Sequence, residues 1–267
     1  MYQETFIISR NGFDFEFIRW GNIKEPTWLF IHGFGGSART FSKVAAYFVE
    51  AGESLLTVSL PYHGNSSDAS SENQLFDIKV LSNVFSEIVK TEFGMKSYTL
   101  VSHSLGSRIV LWLAVNKQEE INSIHIMNPA GFYPWEIRFF QFFSRGWKAK
   151  LLDVKIIARS VTSLLIPNPE QRVIQAFKWL AKSYPEMCLH KTKVFIQLFK
   201  IRKPVHIYWG DKDRLLPLDF ANEVKQHFEK GKVHIINHCG HLPMIEKPEE
   251  LSKLLLKNRN LDLIDSI

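Results

Sequence analysis

Cysteine is scarce in this chain: Cys188 and Cys239 are the only two among 267 residues, and they lie far apart. That spacing excludes a disulfide framework and fits a reducing compartment. No window reaches the roughly 18 unbroken apolar residues of a membrane helix. The opening Met1-Tyr2-Gln3-Glu4-Thr5 lacks the basic region and apolar stretch of a secretory signal. The expected location is therefore the cytoplasm. Internal repeats and low-complexity tracts are missing, as are the compositions of collagen, coiled coils and disordered tails. His238, Cys239 and His241 sit close together but match no zinc-ligand spacing and lack a carboxylate partner, so no metal is expected.

What the chain does have is core-forming material, at 45% hydrophobic and 13% aromatic residues. Its length suits one large α/β domain or a domain with an insertion. Two strands, Thr5–Ser9 and Phe13–Trp20, flank Asn11-Gly12, a hairpin dipeptide. Phe13-Asp14-Phe15-Glu16-Phe17 alternates as a half-buried strand should. Further strands are expected at Thr27–Ile31, Leu55–Ser59, Tyr98–Val101, Ile121–Met127, Pro204–Trp209 and Lys232–Ile236. Helices are expected near Thr40–Ala51, Asn73–Glu92, after Ser104, near Asp219–Glu229 and from Pro248. Alternation of this kind predicts a mostly parallel, doubly wound sheet with helices on both faces.

The chemistry is concentrated in a few loops. Ser102-His103-Ser104-Leu105-Gly106 lies between a strand and a helix, the setting of a nucleophile elbow, whose tight turn requires small flanking residues. Ser102 stands where glycine is usual, one small residue replacing another. A serine hydroxyl becomes an effective nucleophile only when a base takes its proton. Imidazole suits that task because it titrates near neutrality, and a carboxylate fixes its tautomer. His241, in Gly240-His241-Leu242-Pro243, is the candidate base. Trp209-Gly210-Asp211-Lys212-Asp213 offers two acids, of which Asp211 also suits a turn position. The chain order serine, acid, histidine is that of elbow-type enzymes. Phe30-Ile31-His32-Gly33-Phe34-Gly35-Gly36 follows another apolar run, and the amides of Phe34 and Leu105 are the candidate oxyanion donors. His32, His63 and His103 are read as loop or elbow supports.

With these motifs in place, the chain resembles the α/β-hydrolase superfamily over nearly its whole length. Leu60-Pro61-Tyr62-His63-Gly64-Asn65-Ser66 is similar to that superfamily's D-x-P-G-x-G-x-S segment, with His63 and Asn65 as departures. The G-x-x-D spacing from Gly210 resembles the family's acid loop, which favours Asp213 over Asp211. The resemblance implies an eight-stranded core, residues 1–131 and 204–267, carrying an inserted helical cap at 132–203. It also implies a serine carboxylesterase using Ser104, Asp213 and His241, without metal or organic cofactor. Carbon–carbon bond hydrolases of vinylogous keto acids and lid-gated receptors resemble the same scaffold and are the alternatives. Haloalkane dehalogenases carry aspartate at the position of Ser104 and are disfavoured.

The expected cap is unlike the rest in charge. Residues 132–203 hold 14 Lys/Arg against four Asp/Glu, a balance of +10 in a chain whose total is +6. Arg138, Arg145, Lys148 and Arg159 are thus candidates for contacting an acidic partner such as an acyl carrier protein. The resemblance extends to biotin-pathway esterases that demethylate a carrier-bound pimeloyl chain. Nothing accompanies the charge that would indicate nucleic acid. Phe139, Phe140, Phe143 and Trp147 are read as cap core, as the wall of an acyl pocket, or as a membrane-surface stripe, in that order.

Overall fold

The first edge of the sheet is set by a two-residue turn. Asn11 and Gly12 both take positive φ, 49° and 77°, the conformation that matches strand twist in a tight hairpin. It joins β1 (Gln3–Arg10) to β2 (Phe13–Trp20), antiparallel and in register from Arg10↔Phe13 to Gln3↔Trp20. The computed structural model describes residues 2–67, 77–132, 159, 171, 173–178, 180 and 197–264.

Six more strands complete the sheet: β3 (Trp28–Ile31), β4 (Leu55–Val58), β5 (Tyr98–His103), β6 (Ile121–Met127), β7 (Val205–Gly210) and β8 (Gly231–Ile236). The eight strands run in the order β1-β2-β4-β3-β5-β6-β7-β8. From β4 onward every pairing is parallel, and β2 joins β4 antiparallel. The expected architecture, an eight-stranded, mostly parallel, doubly wound sheet, is therefore present. Residues of β3, β4, β5 and β7 are buried throughout, as central parallel strands require, whereas β1 alternates between exposed and half-buried at the edge.

Helices cover both faces. Strand alternation sends Leu29 and Ile31 to one side and Trp28 and Phe30 to the other. The first side packs against α2 (Ile78–Thr91) and α3 (Gly106–Asn116), with Phe15 edge-on to Phe85 at 5.2 Å. The second packs against α1 (Ser42–Glu50) and, after the short α4 (Phe220–Lys225) and α5 (Pro243–Glu246), against α6 (Pro248–Ile264). There Trp28 meets Phe48 at 4.9 Å and Phe30 meets Phe41 at 5.1 Å. Truncating one such buried ring to alanine costs about 3–5 kcal/mol.

Several boundaries differ from the sequence reading for local reasons. The helix expected from Thr40 opens as a 3-10 turn, Ala38–Phe41, because Ser37 and Thr40 form a reciprocal capping box before α1 begins. In α2, Asp77 caps the amides of Lys79 and Val80, and residues 73–76 of the expected helix lie outside the described residues. The helix expected to run to Glu229 stops at Lys225, where His227 and Phe228 donate to carbonyls three residues back. Of the expected cap, residues 173–178 are helical, with Ile174, Ala176 and Phe177 buried, and Leu180 joins the main core. The rest of the expected cap lies mostly outside the described residues.

Candidate active site

The carboxyl ends of four strands, β3, β5, β7 and β8, bring the sequence-derived candidates to one edge of the sheet, where open α/β sheets place their sites. Ser104 follows β5 with φ of +46°, the left-handed strain of an elbow. Its amide donates to Met127 O at 3.0 Å, and its carbonyl accepts from Ser107 and Ala130. The turn is tight enough that a Cβ on Gly106 would lie 2.6 Å from the carbonyl oxygens of both Ile31 and His32. Ser102 is fully buried and its hydroxyl reaches Ser107 Oγ at 3.1 Å, so the residue replacing glycine here fits and gains a partner.

Asp213 and His241 are joined directly. His241 Nδ1 lies 2.7 Å from Asp213 Oδ2. The adjacent ends of β7 and β8 enforce this meeting: Asp211 N–H donates to Ile236 O, Lys212 N–H to Cys239 O, and Cys239 N–H to Asp211 Oδ1. Gly210 lies so close to the β8 loop that a Cβ there would stand 2.2 Å from Gly240 O. Of the two acids, Asp211 is thus spent on the loop, and Asp213 faces the imidazole. Burial pushes the Asp213 carboxyl up, but the hydrogen bond and charge of His241, with donors from Leu216 and Asn128, leave it below the ordinary carboxylate value.

His103 links this pair to the elbow. Its ring meets that of His241 at 4.7 Å between centroids, edge to face, and its Nε2 lies 2.8 Å from His241 O. A donor is required there, so Nε2 carries the proton. Burial first, then the neighbouring His241, holds His103 well below the ordinary histidine value, and it is neutral. The geometry tells its role more fully than the expectation of an elbow support: it ties the serine loop to the histidine loop, 138 residues apart.

Among the described residues, neither the Phe34 nor the Leu105 amide has an acceptor. Leu105 is the N-cap of α3, whose N-terminal dipole adds positive potential beside Ser104. A Cβ on Gly33 would lie 2.9 Å from Ser104 Cβ, so the loop and the serine are in van der Waals proximity. The loop itself is clipped by two imidazoles used reciprocally. His32 Nε2 accepts from Leu60 N–H, and His63 Nε2 accepts from Gly35 N–H. The other nitrogens, both Nδ1, lie against Gly33 O and Pro61 O. Burial, then His63, depresses His32 to about 3.

Three contributors besides Asn128 escaped the sequence reading. Glu246 accepts from Gly240 N–H at 2.7 Å and Leu242 N–H at 3.0 Å, gripping the amides on either side of His241. Its signal was available as an acid in the first turn of the helix after the Gly-His loop. Glu16, fully buried on β2, accepts from Ser59 Oγ and from both nitrogens of Asn65, which anchors the 60–66 segment. Phe177 packs edge-on to Phe34 at 6.1 Å, placing part of the expected cap over the oxyanion loop. No local pattern singles out either of these two. The proposed pocket residues Phe139, Phe140, Phe143 and Trp147, and Arg138, Arg145 and Lys148, lie outside the described residues. Arg159 is helical and exposed. The remaining thiol near the site, Cys239, is buried, and burial pushes it up to about 12, so it is no nucleophile. Among the described residues, no helix is long and apolar enough to cross a membrane.

Comparison with known proteins agrees with this architecture. The profile of the alpha/beta hydrolase family matches residues 28–254. Monoacylglycerol lipase ABHD6 of Rattus norvegicus is 23% identical over 266 residues, covering 87% of this chain and 74% of the relative. Lipase 3 of Moraxella sp. (strain TA144) is 24% identical over 242 residues, covering 84% and 74%. Among solved structures, haloalkane dehalogenase DbeA from Bradyrhizobium elkani USDA94 superposes with a TM-score of 0.77 at 15% identity, covering 99% of this chain and 100% of that one. A putative lipase, lip1 of Acinetobacter baumannii AYE, gives 0.75 at 17% identity, covering 98% and 93%. At such identities the structural likeness speaks for the fold. The family match spans most of the chain, and this protein belongs to the alpha/beta hydrolase family.

Proposed function

We propose that the protein is a serine hydrolase of carboxylic esters working through an acyl-enzyme. Ser104 attacks the ester carbonyl while His241 takes its proton; His241 then returns the proton to the leaving alcohol. Asp213 holds Nδ1–H, which leaves Nε2 as the basic nitrogen and stabilises the imidazolium that forms. The Phe34 and Leu105 amides receive the oxyanion. Water then repeats the sequence on the acyl-enzyme and frees the acid.

The observation that carries this reading is an elbow-strained serine that follows His103, whose ring meets the carboxylate-bound His241, beside two loops whose candidate amides have no acceptors among the described residues. Relatives named as lipases support an ester substrate, and Phe34 with Phe177 over it supplies an apolar surface at the oxyanion loop. The basic 132–203 segment extends the proposal to acidic acyl carriers, including a carrier-bound methyl ester, as substrates.

Covalent labelling tests the nucleophile. A fluorophosphonate should add one phosphonyl group to the peptide containing Ser104, and His241→Gln should suppress the labelling. Modification elsewhere, or none in active protein, contradicts the assignment. Esters left untouched by protein that labels at Ser104 would transfer the reading to carbon–carbon cleavage or to a receptor.

A further inference from the structure

Resting on the triad reading, we propose that Asn128 is a positioning residue for Asp213: its amide N–H fixes the same carboxylate oxygen that receives His241. Asn128 Nδ2 lies 2.6 Å from Asp213 Oδ2, and His241 Nδ1 lies 2.7 Å from that same atom. The other oxygen, Oδ1, accepts the amides of Leu215 and Leu216 at 2.8 and 2.9 Å. A carboxylate offers about four acceptor sites. All are occupied, so it cannot rotate away from the imidazole. The amide orientation follows from chemistry, since the reverse would set Asn128 Oδ1 against a carboxylate oxygen.

Asn128 is held in a form that local stability does not favour. It stands at the end of β6 with φ of +42°, in the left-handed region. It is fully buried, and its Oδ1 has no donor among the described residues. A buried acceptor without a donor and a left-handed backbone are both unfavourable. Among the described residues, the one partner of its side chain is Asp213. Its own amide donates to Tyr208 O at 3.0 Å, so the β6–β7 ladder sets the side chain's starting point. Among the described residues, the titratable group against the pair is His241 on the β8 loop, which the neutral His103 on β5 borders.

Two variants test the proposal on a soluble p-nitrophenyl ester. Asn128→Gly tolerates positive φ and removes the donor. Its kcat should fall about ten- to a hundredfold, the loss associated with a hydrogen bond to a charged group. The acid limb of its kcat/KM profile should move to higher pH, because a less neutralised carboxylate favours the imidazolium. Asn128→Asp restores a donor only while that new carboxyl is protonated. It should therefore exceed Asn128→Gly at mildly acidic pH and lose the advantage as pH rises. An acid limb unmoved from the parent's in the folded variants overturns the proposal, whether or not kcat falls. If Asn128→Gly does not fold, the pH profile of Asn128→Asp decides alone. Failure of the underlying triad reading is seen separately, as ester turnover that survives Ser104→Ala.

Discussion

At the scale of single residues, the serine, the acid and the base are not equivalent in what they should cost. Ser104→Ala and His241→Gln should each remove about a millionfold of ester turnover in kcat, and Asp213→Asn about ten-thousandfold, while circular dichroism stays native. Glu246 differs because its hydrogen bonds, among the described residues, run to backbone amides. Losing its two hydrogen bonds lets the Gly240–Leu242 loop relax, so Glu246→Ala should lower kcat about ten- to a hundredfold with little change in KM for small esters. Steady-state kinetics on one soluble ester separates these cases. Ser104 and His241 are legible in the sequence as candidates because a nucleophile and a base have few substitutes and sit in recognisable turns. Glu246 and Asn128 act by a single hydrogen-bond geometry, which many residue types and spacings could deliver. Only the fold reveals which does.

The elements explain why the loops meet. Parallel pairing of β3, β5, β6, β7 and β8 puts their carboxyl ends side by side, and two glycines allow the final approach. Gly106 has no room for a side chain against Ile31 O and His32 O, and Gly210 has none against Gly240 O. Gly106→Ala and Gly210→Ala should each lower stability by about 3 kcal/mol or more, read as a lower denaturant midpoint, with turnover falling further than the folded fraction accounts for. The strands were readable from their buried apolar runs and turn dipeptides, and β2 and β6 fall at their expected limits. Helix ends were less so. The 3-10 turn before α1 and the early end of α4 depend on capping and i→i−3 bonds that hydrophobic periodicity does not register. Sheet order was not readable at all from one chain, since which strands pair is decided by long-range packing.

The molecule as a whole is built around histidines kept neutral. His32, His103 and His125 are fully buried, and burial is the leading cause that depresses each of them; His234 is lowered to about 4, again chiefly by burial. His125 stacks on His206 at 4.9 Å, and His206 in turn reaches His234 and Asp262, beneath α6. In the unfolded chain these imidazoles titrate near their ordinary value, so below that pH the unfolded state binds protons that the native state refuses. Stability should therefore be level between about pH 7 and 8 and fall steadily as pH drops through 6 to 4. His32 alone would contribute about 1.4 kcal/mol per pH unit over most of that range. Thermal midpoints across pH 4 to 8 check the sign, and a midpoint that rises on acidification would contradict it. The charge of the whole is equally uneven, with +10 on residues 132–203 against a chain total of +6. If that segment guides acidic substrates, kcat/KM for a carrier-bound ester should fall steeply between low and physiological salt while that for a neutral ester holds.

The central claim, that this fold and site hydrolyse carboxylic esters through Ser104, is tested most directly by one series. Steady-state hydrolysis of p-nitrophenyl esters of increasing acyl length should be measured with the parent protein and with Ser104→Ala side by side. Turnover should peak at one chain length and disappear in the variant. Turnover that persists in Ser104→Ala, or none on any ester by folded parent protein, would contradict the claim.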